Sequence, residues 1–362
     1  MKSKLTFIGL ASVIVLSIVL IFALSIEKKN PEMLSTQTPE TLDDSIVANM
    51  NESITDILQE ETIPLEPEPL ETLTVSFANV RTLTFWDERI AAGTEGGVFT
   101  YRPADSSYQF FYSASGLSEH KVNALLEYNG KLMVGTEGGL AEINPDGIII
   151  DLNFGFEPPV TALAESQGTL LIGTENNGLI AYNDGIAKQM LDIPCITAVV
   201  STPEEIWVSS AGYGLYSFDG TDWKKRYLEA DSTAFDYITD LGYKFNRIYA
   251  GTSFGLYVFD GGRWSLYNEE DGLLVCDITE VDFSGWKIVV GTSDWGIYEI
   301  FEDIVTPKAW SEGLTVTALA SNGQLTVLGT PDDGIYIAEG HAIDHINPTP
   351  QTYTQPVMAL NQ

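Results

Sequence analysis

An all-β ring of seven four-stranded antiparallel blades, a β-propeller, is the fold that three observations predict. One hairpin recurs seven times. Its clearest copy is Lys131-Leu-Met-Val-Gly-Thr-Glu-Gly-Gly-Leu140, and the other copies start at Gly93, Gly173, Ser209, Gly251, Gly291 and Gly329. The steps between copies are 42, 38, 36, 42, 40 and 38 residues, and a period near 40 with several strands per unit marks a radial or stacked array. A second motif, Val-x-Ala-Leu in its commonest form, starts at Val80, Val122, Val160, Ile196, Ile238, Ile278 and Val316, each 13 residues before its hairpin. Finally, no helical period runs through the repeats, which excludes leucine-rich and helical arrays.

Each repeat then reads as four strands. The first is the Val-x-Ala-Leu segment, whose small third residue suits a crowded axis. The second is the apolar run into Gly-Thr, and the third leaves the hairpin at a glycine and ends near an Asp-Gly turn. The fourth carries an aromatic, as in Trp223-Lys-Lys-Arg-Tyr227 and Trp264-Ser-Leu-Tyr267. Such blades bury their faces against both neighbours. Seven hairpins against eight first-strand motifs (the eighth is Val357–Leu360) leave the closure of the ring open. The terminal segments 73–77 and 357–362 are the candidates for a shared closing blade, which would remove exposed strand edges.

The segments before the repeats have a different character. Residues 5–26 are 22 residues without a charge, about 33 Å as a helix, long enough to span a bilayer. Lys2 and Lys4 precede this segment, so the positive-inside rule puts residues 1–4 in the cytoplasm and everything after the span outside. Cleavage near Ala23-Leu24-Ser25 would instead release a secreted chain. Residues 27–70, rich in Pro, Glu, Ser and Thr, read as a disordered acidic linker, and 71–362 as the propeller domain. One short helix is expected within 45–59, and Asn51-Glu-Ser53 matches a glycosylation sequon.

The formal charge is −33, and residues after 70 keep 14 bases against 40 acids. Such a field repels phosphate backbones and excludes nucleic acid as a partner. Two cysteines, Cys195 and Cys276, lie one blade apart from being neighbours, so two buried thiols are expected in place of a disulfide. Three histidines, His120, His341 and His345, are spread over the ring and give no support to a zinc site or a catalytic triad.

Val160-Thr-Ala-Leu163, Leu170-Leu-Ile-Gly-Thr174, Gly178-Leu179, Asp219-Gly-Thr-Asp-Trp223, Asp260-Gly-Gly-Arg-Trp264 and Trp207 together resemble the two-component regulator propeller repeat, over roughly residues 78–360. The resemblance implies an extracytoplasmic sensor propeller, attached in that family through a membrane helix to a kinase or transcription module. No kinase, dimerisation or DNA-binding segment is recognised here, so the expectation is recognition without catalysis, signalling through partners.

Variation around the ring selects candidate site residues. The residue before the last hairpin glycine is Gly96, Gly138, Asn177, Tyr213, Phe254, Trp295 and Asp333 in turn. Blades four to six thus present three consecutive aromatics between Asn177 and Asp333, an expected stacking arc for a sugar or another flat ligand. Near the channel mouth lie His120, Asp236, Asp277 and, within first strands where Ala is usual, Asp240 and Glu280. Carboxylates there could hold calcium, although no Asp-x-Asp-x-Asp-Gly loop is present; no other cofactor is expected. Two readings compete with the ligand-binding module: a scaffold subunit docking an envelope protein, and a propeller lyase or glycosidase.

Overall fold

The computed structural model describes residues 70–117, 119–152, 155, 159–227 and 237–356. The predicted membrane span, the linker up to residue 69, the Asn51 sequon, Asp236 and the Val357–Leu360 motif lie outside the described residues. Among the described residues no helix is long and apolar enough to cross a membrane.

Seven four-stranded antiparallel sheets follow one another along the chain, each paired in sequence order from innermost to outermost strand. The first blade comprises Val80–Trp86, Arg89–Thr94, Gly97–Arg102 and Ser107–Phe111. The others occupy 122–152, 160–191, 196–226, 238–267, 278–307 and 318–346. The core is divided into seven clusters, one per interface between neighbouring blades. Side chains of a strand alternate between its two faces, so each middle strand feeds two of these cores. Leu170 and Ile172 pack toward the second blade while Leu171 packs toward the fourth. Burial on both faces explains why the second strands read as unbroken apolar runs.

The recurring glycine of Gly-Thr is a packing residue. A Cβ on Gly135 would lie 2.5 Å from Val160 Cγ1, and one on Gly329 would lie 2.4 Å from Val80 Cγ1. In six of the seven interfaces the valine or isoleucine that opens the Val-x-Ala-Leu motif therefore seats against the bare backbone of the preceding blade; the seventh has Ser209 in place of the glycine. The threonine that follows closes the hairpin. Its hydroxyl donates to the hairpin's last glycine carbonyl and accepts the amide of the residue before that glycine, as Thr292 does with Gly296 (2.8 Å) and Trp295 (3.2 Å).

The second residue of the inner strand is bulged out of the ladder in blades one to six. A bulged residue leaves its own pairing and turns aside. Here it reaches the next blade: Asn123 donates to the Val160 carbonyl, Thr197 to Ile238 and Thr239 to Ile278. In the last blade Thr317 donates to the Val80 carbonyl, and the Val80 amide donates to Thr330, so the same latch closes the ring.

Closure uses no shared blade. Leu70–Val75 pairs antiparallel with Gln351–Pro356 in a separate two-stranded ribbon, and the first and last blades are each complete from contiguous sequence. The expectation that 73–77 adds to the last blade is corrected accordingly: Phe77 instead packs into the core between the last and first blades. Phe77 and Val80 already anchor the chain start there, so a borrowed strand is not needed.

Candidate functional site

Antiparallel order within each blade places the hairpins between second and third strands at the same end as the links between blades. Backbone hydrogen bonds tie the two together. Glu137 donates to Lys121, Cys195 to Glu175, Ala211 to Cys195, and Ser293 to Asp277. These bonds hold the hairpins of blades two, three, four and six on a rigid base, while most of the link before blade five lies outside the described residues. Cys195 takes part through its backbone at φ 55°, and both cysteines are half-buried free thiols, more accessible than expected.

The three rim aromatics point outward. Tyr213 is 46% exposed, Phe254 56% and Trp295 38%. In Phe254 and Trp295 the backbone amide is held by the hairpin threonine, at 3.1 and 3.2 Å. The Tyr213 hairpin has serine in place of threonine; there Ser210 Oγ donates to Pro194 and the Tyr213 amide donates to the Ser210 carbonyl. Exposed aromatic faces on a fixed base are suited to stacking against a flat ligand, since little side-chain freedom is lost on binding.

The flanking polar residues differ in availability. Asn177 is half-buried, with its carbonyl accepting from Gln189. Asp333 is committed within its own blade: its carboxylate accepts from Tyr336 at 2.7 Å and from Asn347 at 3.0 Å, and its carbonyl lies 2.7 Å from His345 Nε2. The hydrogen bond from Tyr336 holds the Asp333 carboxyl below the usual range. At the first blade the segment leading into the ring covers the hairpin, because the Ser76 carbonyl lies 2.2 Å from where a Cβ on Gly96 would stand.

The channel-mouth candidates separate into two groups. His120 lies on the link between blades one and two, its Nδ1 2.5 Å from Ser113 Oγ, and Asp277 is exposed on the link before blade six. Asp240 and Glu280 lie deeper, on the inner strands of blades five and six. The inner strand is the edge of its sheet, so amides on its free side need partners from elsewhere. Asp240 supplies one, accepting the Val281 amide of the next blade at 2.8 Å as well as the Leu241 amide at 2.8 Å.

Asp282 does the same one step on, accepting the Ser321 amide of blade seven. It was not singled out from sequence. Two residues beyond Glu280 on one strand, it shares that residue's face, and strand alternation would have found it. The three carboxyls keep some accessible surface because they border the channel, yet protein encloses them. That enclosure pushes Asp240 up to about 6 and Asp282 up to about 7, and it raises Glu280 well above the usual carboxylate range, where Asp240 and Asp282 repel it further. Among the described residues no group of three or more His, Cys, Asp or Glu side chains has the geometry to hold a metal ion.

No family model and no curated protein matches the sequence. Solved structures do. The extracellular domain of BT4673 from B. thetaiotaomicron, described as a one component system, aligns with TM-score 0.62 at 14% identity, over 78% of this chain and 43% of that one. The extracellular domain of BT3049 from the same organism, described as a hybrid two component system, gives TM-score 0.60 at 16% identity, over 78% and 42%. Virginiamycin B lyase from Staphylococcus aureus gives 0.59 at 12% identity, over 74% and 98%. The chain spans less than half the length of either sensor. At these identities the likeness is one of fold: the protein shares its propeller with extracellular sensor domains and with a lyase.

Proposed function

We propose that this chain is a membrane-tethered, extracytoplasmic recognition propeller. It binds a carbohydrate, or another ligand with a flat apolar face, along the rim of blades four to six, and it passes the event on through a partner protein. The observation that carries the reading is the exposure of Tyr213, Phe254 and Trp295 on three consecutive hairpins of one rim. Support for the location comes from the apolar segment 5–26 and from the fold shared with extracellular sensor domains.

The rim chemistry favours a neutral ligand. The hairpins of blades four to six, 209–214, 251–255 and 291–296, contain no Lys or Arg, and Asp294 is their only charge. A glycan array probed with the full-length chain tests the reading, with binding to neutral glycans as the expected result. Failure to bind any glycan, together with co-purification of a stoichiometric envelope protein, would replace it with the scaffold reading.

A further inference from the structure

The hairpins between first and second strands surround the opposite mouth of the channel, and they divide by charge. Blades one to four carry Asp87 and Glu88, Glu127, Glu165, and Glu204 with Glu205. Although Arg89 and Lys131 also stand at the hairpin ends of blades one and two, only the hairpins of blades five and six are cationic without an acid. Blades five and six carry Lys244-Phe245-Asn246-Arg247 and Gly285-Trp286-Lys287. In a chain with a formal charge of −33, a cationic and aromatic sector is a local reversal.

The two aromatics of this sector meet. Phe245 and Trp286 stack with ring centroids 5.3 Å apart and planes 7° from parallel, and Lys244 Nζ stands 5.9 Å from the Phe245 ring centre. Trp286 is 76% exposed, so the ring face turned away from Phe245 is open. Phe245 and Asn246 adopt φ 52° and 58°, as a two-residue hairpin turn requires, and the same conformation recurs at Asp87–Glu88 and Glu302–Asp303. Lys287 is already bound to Glu299 at 2.7 Å, whereas Lys244 is near enough to Asp282 to act on it electrostatically but makes no ion pair with it. Arg247, exposed and directly opposite Lys244 across the hairpin, is a second cation, hydrogen-bonded to Tyr249 and within electrostatic reach of Asp260.

We propose that blades five and six form a second binding site at this mouth, for an acidic sugar of the uronate type. The sugar ring stacks on Trp286, and its carboxylate is met by Lys244 and Arg247. Aromatic faces suit the C–H face of a pyranose, and a charge-assisted hydrogen bond selects the acid over its neutral counterpart. The site is chemically distinct from the opposite rim, whose aromatic hairpins hold no cation, and it does not depend on that rim's reading.

The test is tryptophan-fluorescence titration of the full-length chain with trigalacturonate and, as the neutral control, galactotriose. Three variants accompany the wild type: Trp286→Ala, the double variant Lys244→Ala/Arg247→Ala, and the triple variant Tyr213→Ala/Phe254→Ala/Trp295→Ala. Trigalacturonate is expected to bind the wild type at least about tenfold more tightly than galactotriose. Each of the first two variants should weaken it about tenfold, as expected for the loss of one stacked ring or a charged contact, and the triple variant should leave it unchanged. Equal binding of the two sugars, unaltered binding by Trp286→Ala, or loss of trigalacturonate binding in the triple variant would overturn the proposal. So would absence of trigalacturonate binding, whether or not poly-glutamate binds in its place.

Discussion

At the scale of single residues, the channel carboxyls are the most consequential groups. Enclosure raises Asp240 to about 6 and Asp282 to about 7, and it raises Glu280 well above the usual carboxylate range. Between that usual range, about pH 4, and the raised values the native chain holds more protons than the unfolded chain, so stability falls as pH rises through the window. Below about pH 4 both states are protonated and the groups contribute no slope. The melting temperature should therefore decline from pH 4 to pH 8. Glu280→Gln, which removes the charge but keeps the shape, should raise it at pH 8 and leave it nearly unchanged at pH 4. Thermal melts of the two proteins across that range check this; an equal shift at both pH values would contradict it. Sequence made Asp240 and Glu280 legible because each breaks a run of alanines. Asp282 and the Phe245–Trp286 stack were not legible, because the former breaks no motif and the latter requires two hairpins 41 residues apart to touch.

At the scale of the element, the blade is defined by the Gly-Thr hairpin and the residue it receives. The glycine was legible as a marker of period, but its reason was not. Repetition alone suggests turn flexibility, whereas the structure assigns Gly135 to contact with the next blade's Val160. A methyl group there overpacks a well-filled interface, at a cost of about 1–3 kcal/mol. Gly135→Ala should thus lower stability by about that amount, and adding Val160→Ala should recover part of it, since the clash and the cavity compensate. Denaturant unfolding of the two single variants and the double variant measures the coupling. Strictly additive effects would place the cause elsewhere. The serine at 209 fits the same account: in that one blade Ser209 Oγ sits 2.7 Å from Thr197 Oγ1, so a polar contact replaces the bare backbone.

At the scale of the whole molecule, seven blades were countable from sequence and the manner of closure was not. Terminal strands of a ring look alike in sequence whether they complete a blade or pair outside it. Here the latch from Thr317 to Val80 and the shared core around Phe77 join the last blade to the first. Removing both ribbon strands, Leu70–Val75 and Gln351–Pro356, should leave a cooperative melt and an unchanged far-ultraviolet circular dichroism spectrum, with only a modest fall in melting temperature. Loss of the cooperative transition would mean that the ribbon, and not the latch, holds the ring.

Rim variation is where architecture becomes use, and the most direct measurement is binding by the variant Tyr213→Ala/Phe254→Ala/Trp295→Ala. The three side chains lie outside the blade cores and are 38–56% exposed, so the variant should stay folded with a cooperative melt and lose only a few degrees of melting temperature. Against the neutral glycan selected on the array, its affinity should fall by a factor of about 100 or more, each lost stack contributing roughly 0.5–1.5 kcal/mol. Binding at wild-type strength by the folded variant would contradict the assignment of this rim as the ligand site.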